Sequence, residues 1–222
     1  RQAGETLPFN STLTKVTHSY KKVPWTFSAD GCLRSGDSVM LESKKVNGFL
    51  SVDLGVNSQA LMALSDSLEA QPSMARYQIS VRTQGFEAMD IFGADNIIRF
   101  GQKIRIESNP HLYKKTLAVG SMPMGPAAHS PISRHQEASM HAHSSFNNVW
   151  IIDSQNPNDR FERQGEPVRA GEPILFRHSQ TQHYLACDLK TYKNDFGTEF
   201  EVCAHSFASP NKTQNLALER NG

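Results

Sequence analysis

Four histidines, His129, His135, His141 and His143, crowd one stretch of this chain. Imidazoles at that density are metal ligands in principle, and His141-Ala142-His143 alone has the spacing of a two-point clamp. A zinc site, however, asks for three or four ligands, commonly with Cys or a carboxylate in the set. The stretch offers Glu137 as its one acid, and no Cys-x-x-Cys spacing occurs anywhere. It is read as a polar loop, and neither a metal nor a cofactor is expected. His205-Ser206 with Asp195 has the residue types of a hydrolytic triad, but His–Ser adjacency in sequence carries no such meaning without geometry. Asp153 and Asp159 flank Asn156-Pro157-Asn158, where acids serve turns rather than acid–base catalysis. No Gly-x-Ser-x-Gly, phosphate-binding glycine loop or His-Glu-x-x-His is present, so no enzymatic activity is expected.

The residues left are suited to holding a partner. Lys21-Lys22-Val23-Pro24-Trp25 joins two ammonium groups to a large aromatic. Two readings are open for it: Trp25 anchors a partner, or Trp25 and Phe27 plug the bottom of the fold. Aromatics are more often core than contact, so residue type favours the plug. The candidate contact set is Lys21, Lys22, Trp25, His129, Arg134, His135, His141 and His143. Three further arginines, Arg34, Arg99 and Arg169, recur at similar intervals. They either line an anion site or stand where strands begin, each paired with an acid of a neighbouring repeat; the second reading is preferred.

These arginines belong to a repeated element. Arg34-Ser35-Gly36-Asp37-Ser38-Val39-Met40-Leu41, Arg99-Phe100-Gly101-Gln102-Lys103-Ile104-Arg105-Ile106 and Arg169-Ala170-Gly171-Glu172-Pro173-Ile174-Leu175-Phe176 share the form Arg-x-Gly-(acid or amide)-x-(Val/Ile)-x-apolar. Gly36, Gly101 and Gly171 suit tight turns because glycine takes positive φ without a Cβ clash. The residues after them alternate as a half-buried strand does. A second element, Phe49-Leu50-Ser51-Val52-Asp53-Leu54, resembles Tyr184-Leu185-Ala186-Cys187-Asp188-Leu189 at the same offset that separates Gly36 from Gly171. Leu117-Ala118-Val119 is the looser counterpart in copy two. Each copy closes on a strand-like run: Tyr77–Val81, Asn148–Ile152 and Phe200–Ala204. Three copies of one β-unit imply internal threefold symmetry, and the fold class expected is all-β, a β-trefoil with repeats near 29–92, 93–160 and 161–222.

Residues 1–28 show little periodicity and read as an extended N-terminal arm. Within the insertion 56–75, Ala60 to Ala70 is rich in helix formers with apolar residues at 61, 64 and 68, which predicts a short helix. The segment 120–146, rich in Gly, Pro, Ser and His, reads as a long exposed loop. The chain has 222 residues and a net charge of +1, which gives no general case for nucleic acid or a membrane as partner. No apolar run is long enough to span a bilayer, and the N-terminus has no secretory pattern. The three cysteines, Cys32, Cys187 and Cys203, are read as buried thiols of a reducing compartment. Asn10-Ser11-Thr12 and Asn211-Lys212-Thr213 are then chance matches to a glycosylation acceptor. With no initiator Met, the chain is expected to begin inside a longer protein or after residues not included in it.

With the repeats in view, the chain resembles the MIR-type trefoils, through Ile98–Ile104, Trp150 and Arg163–Ile174. It is more closely similar to the cilia- and flagella-associated protein 161 family, through Asp30–Leu41, Asn148–Trp150, Glu201–Ser206 and Leu216–Leu218. That family's resemblance implies a non-enzymatic structural protein of the ciliary or flagellar axoneme. It implies binding to the luminal face of doublet microtubules, with tubulin and neighbouring inner proteins as partners. The alternative is an MIR-type module recognising an anionic small molecule or another protein. Contacts are expected mainly from the arm 1–28, the insertion 56–75 and the loop 120–146.

Overall fold

The structure, a computed structural model, describes residues 8–54, 60–66, 73–84, 95–112, 116–123, 125, 128–142 and 144–206. Three backbone segments converge on one axis. The Leu33 N–H donates to the Val168 carbonyl (2.9 Å), the Val168 N–H to Ile98 (2.9 Å), and the Ile98 N–H back to Leu33 (2.8 Å). A second ring lies two residues on: Ser35 to Asn96 (2.8 Å), Phe100 to Glu166 (3.0 Å) and Ala170 to Gly31 (2.8 Å). A closed cycle of this kind requires three equivalent segments facing each other, which is what the repeat implied.

The repeated motif is the turn that leaves this collar. In each copy the fourth residue donates its N–H to the arginine carbonyl: Asp37 to Arg34 (3.1 Å), Gln102 to Arg99 (3.2 Å), Glu172 to Arg169 (3.2 Å). The glycine at the third position has φ of +97°, +84° and +79°, as a type II turn demands. The acid or amide then reaches back to the arginine N–H, at 2.8, 2.9 and 3.2 Å in the three copies. Both the glycine and the carbonyl-bearing side chain are therefore dictated by the turn.

Strands follow the turns. The described strands in chain order are β1 (Ser38–Val39), β2 (Glu42–Ser43), β3 (Gly48–Leu54), β4 (Ala60–Asp66), β5 (Ile79–Thr83), β6 (Lys103–Ser108), β7 (Ala118–Gly120), β8 (Gln136–Glu137), β9 (Ser139–His141), β10 (Trp150–Ser154), β11 (Ile174–His178), β12 (Leu185–Asn194) and β13 (Gly197–Ala204). All pairings are antiparallel and join one continuous sheet. β5 lies between β1 and β6, and β10 between β6 and β11. Val39 opposite Ile79 in copy one corresponds to Ile104 opposite Trp150 in copy two. The core runs through Leu50, Val52, Ile79, Val81, Ile98, Ile104, Ile106, Trp150, Ile152, Val168, Phe176 and Val202, with Val39 and Ile174 packed against it.

Four expectations are corrected. The arm is not simply extended, since Pro8–Ser19 form a helix, α1. Lys15 of α1 pairs with Asp53 of β3 and with Asp195 (2.8 Å), and Tyr20 packs edge-on against Phe196 at 5.8 Å. These contacts tie the helix to the barrel, so tertiary docking supplies what its weak periodicity does not. Of the helix foreseen at 60–70, residues 60–66 are instead strand β4, and 67–70 lie outside the described residues. The strand pairs residue for residue with β3 from Ala60 to Asp66 and also with β9 and β13; a ladder on both sides overrides local helix propensity. The segment 120–146 is not a solvent loop. It contains β8 and β9 and buries Ser121, Ala128, Ser130, Ser133, Gln136, Ala138, Ser139 and Met140. Finally, Asp153 is a buried residue of β10 bonded to Arg177 (2.6 Å), while Asp159 does serve a turn, accepting from Asn156 (2.8 Å).

Candidate functional site

The strip Lys21–Phe27 is fixed in its backbone and open in its side chains. Lys22 bridges Met74, the Lys21 carbonyl accepts from Ala75 (3.0 Å), and the buried Val23 donates to Ser73 (2.7 Å). Further on, the Thr26 N–H donates to the Ser38 carbonyl (3.2 Å), and Ser38 returns a bond to Thr26 Oγ1 (3.0 Å). Yet Trp25 is 55% and Phe27 82% exposed, in edge-to-face contact with each other at 6.4 Å. They do not plug the barrel; Val23 fills that position and the strip then leaves the core. Lys21 and Lys22 are exposed, with no acidic partner among the described residues. Lys21 also borders an open groove of about 550 Å³ lined by Leu13, Thr14, Thr17 and His18 of α1.

Among the described residues, His129, His135 and His141 do not assemble as one site. His129 donates through Nδ1–H to the Arg134 carbonyl (3.2 Å), and Arg134 is exposed. His141 is half-buried on β9, bonded to Ser139 (3.1 Å), and burial pushes its pKa down. His143 lies outside the described residues. His135 joins a cluster that no spacing announced. It stacks on His205 at 3.8 Å, pairs with Asp188 at 3.3 Å, and His183 lies 5.8 Å from His205. Burial lowers the His205 pKa, with His135 and His183 adding to the shift. Among the described residues no group of three or more His, Cys, Asp or Glu is arranged to hold a metal. Asp195 is engaged with Lys15, remote in role from His205-Ser206.

Arg34 and Arg99 pair with acids of their own repeats, not of a neighbouring one, and Arg99 also reaches across to donate to the Gly165 carbonyl of the third repeat (3.1 Å). Arg34 bonds Asp30 through both Nη atoms (2.9 and 2.6 Å), and Arg99 bonds Asp95 (2.7 Å), each acid four residues upstream. The Arg34 guanidinium holds the Asp30 carboxyl well below the usual carboxylate range. In copy three the upstream position is Gly165, and Arg169 is exposed. All three cysteines are free and buried; burial pushes the Cys187 thiol to about 11 and Cys203 to about 12, so both stay protonated. A further knot, unforeseen from sequence, lies near α1. Arg76 is fully buried, bonds both Glu199 carboxylate oxygens at 2.6 Å, and stacks 3.6 Å from the Phe196 ring centroid.

Comparison with known proteins gives a family and a fold. The profile of the cilia- and flagella-associated protein 161-like domain matches residues 76–216, more than half of the chain. Cilia- and flagella-associated protein 161 of Bos taurus is 29% identical over 203 residues, covering 84% of this chain and 62% of the relative. The Danio rerio protein of that name is 24% identical over 209 residues, covering 87% and 69%. The chain thus spans about 62% of the length of the bovine relative. Among solved structures, the SDF2-like protein from Arabidopsis thaliana is similar at TM-score 0.61 and 17% identity, over 80% of this chain and 90% of that one. The protein O-mannosyltransferase Pmt1–Pmt2 complex of S. cerevisiae is similar at TM-score 0.57 and 16% identity, over 86% of this chain and 25% of that one. At such identities these neighbours speak for the fold, an all-β MIR-like architecture.

Proposed function

We propose that this chain, which belongs to the cilia- and flagella-associated protein 161-like family, is a non-enzymatic structural component of the axoneme that binds the luminal face of doublet microtubules and adds to their stability. Association with the cilium or flagellum comes with the family. The family match over residues 76–216 is the observation that carries the reading. The architecture suits it: a sheet closed by a threefold collar gives a stiff body, and attached segments hold its surface features in place. The alternative, a pocket for an anionic small molecule, is less well supported. Arg34 and Arg99 are already neutralised by Asp30 and Asp95, which leaves no threefold basic site.

Tubulin and neighbouring inner proteins are the proposed partners. The test is cryo-electron tomography of doublets from motile cilia, with and without the gene. The expected result is a trefoil-sized density on the luminal wall that vanishes in the deletion. A missing density outside the lumen, or none, overturns the proposal.

A further inference from the structure

We infer that the strip Lys21–Phe27 is a preformed docking surface for a carboxylate-bearing protein face, with Trp25 and Phe27 entering an apolar recess and Lys21 and Lys22 meeting acids around it. The inference rests on the axonemal reading only in naming that face as tubulin's.

The geometry argues this in three steps. Val23 enters the core, but Trp25 and Phe27, which follow it, stay exposed. Burying a large apolar side chain stabilises a fold, and the chain forgoes much of that gain at two nearby positions. Second, the exposed pair is held rather than loose. Backbone bonds to Ser73, Ala75 and Ser38 flank it, and the two rings brace each other. Ordering costs are thereby met before binding, the condition under which exposed aromatics become binding hot spots.

Third, the charge is local and uncompensated. Lys21 and Lys22 stand unpaired among the described residues, and the nearest downstream acid, Asp30, is committed to Arg34 at 2.6 Å. A chain of net charge +1 thus concentrates positive charge beside its exposed aromatic pair. Two cations are too few for a nucleic-acid track, which needs several phosphate contacts. They suit a protein face in which a few acids ring an apolar centre. The groove bordered by Lys21 and by Leu13, itself exposed, extends the same surface along α1.

The test uses the full chain, labelled, with purified αβ-tubulin heterodimer in fluorescence anisotropy at low and physiological salt. Vesicles of phosphatidylserine and phosphatidylcholine form the second arm. The double variant Trp25→Ala/Phe27→Ala is expected to lose at least tenfold in affinity for tubulin. Lys21→Glu/Lys22→Glu is expected to weaken binding and flatten its salt dependence. Phe161→Ala, an 88% exposed aromatic elsewhere, is expected to leave binding unchanged, and thermal melts should show all three folded. Equal binding by wild type and both strip variants overturns the surface while leaving the axonemal reading intact. Binding to vesicles in place of tubulin overturns the protein partner, and absence of wild-type binding overturns the inference. The tomographic density decides the axonemal reading independently.

Discussion

Trp150 and Trp25 are the chain's two tryptophans, and they solve opposite problems. Trp150 has no exposed surface. Its indole N–H donates to the Val119 carbonyl at 2.9 Å, its ring meets His178 edge-on at 5.0 Å, and its backbone pairs with both β6 and β11. Trp25 has a fixed backbone and a free ring. Burial of a large aromatic with its polar tip satisfied builds a fold; exposure of one on a held backbone serves no folding purpose. The contrast separates scaffold from contact surface, and it can be broken or sharpened by substitution.

The largest effect belongs to the scaffold. Trp150→Ala is expected to destabilise the fold by about 3–5 kcal/mol, since truncation leaves a cavity and strands the Val119 carbonyl. Denaturant unfolding measures it. A loss below about 1 kcal/mol would mean that the core collapses around the gap and that Trp150 does not organise it.

The collar gives the next effect and a control within the motif itself. Gly101→Ala forces an L side chain into positive φ, at about 1–2 kcal/mol, and its Cβ would stand 2.9 Å from Gln164 Cγ. Gly171→Ala carries the same backbone cost with nothing within 4 Å of the new atom. Gly101→Ala should therefore be the more damaging of the two in thermal melts. Equal losses would show that backbone strain alone sets the cost and that Gln164 yields freely.

How much of this was legible in the chain follows from which interactions are local. The type II turns write themselves into Arg-x-Gly-acid because turn, glycine and acceptor lie within four residues. β1, β6 and β11 showed as apolar alternation directly after those turns for the same reason. What escaped was long-range. β4 has helix-forming residues and becomes strand through its ladder with β3 and its pairings with the distant β9 and β13. The segment 120–146 looks solvent-loving because its small polar residues are buried by satisfying neighbours, as when the Glu201 carboxylate accepts the Ile132 and Ser133 N–H groups (2.9 and 2.7 Å). The Arg76–Glu199 pair joins residues far apart in sequence, and no spacing marks it. At the candidate surface, residue type selected Lys21, Lys22 and Trp25, but type alone favoured burying the tryptophan; its observed exposure shows otherwise.

Acidification should weaken the scaffold by a smaller amount. Burial lowers the pKa of His141, His178 and His205, the last also through His135 and His183. A histidine with a depressed folded pKa binds fewer protons in the folded chain than in the unfolded one as pH falls below about 6.5. Stability then rises with pH across that window and is lost on acidification. Thermal melts from pH 7.5 to 5 should show a falling midpoint, and His178→Asn should flatten the slope. An unchanged midpoint would mean that these rings find partners for their protons, Asp188 near His205 being the first to examine.

The smallest effect is the one that most sharpens the contrast. Trp25→Ala removes a ring that touches Phe27 and solvent, so no core cavity opens and no hydrogen bond is broken. The strip's backbone bonds to Ser38, Ser73 and Ala75 run through main-chain atoms and the Thr26 hydroxyl, and none passes through the indole. Its stability should stay within about 0.5 kcal/mol of wild type, the range of surface substitutions away from structural features. Val23→Ala, two residues earlier in the strip, should cost more because its side chain is in the core. Denaturant titration of the two variants decides the matter. If Trp25→Ala destabilises as much as Val23→Ala, the tryptophan is part of the scaffold and the strip is not a surface reserved for a partner. If only Val23→Ala does so, the boundary between scaffold and contact runs through Pro24.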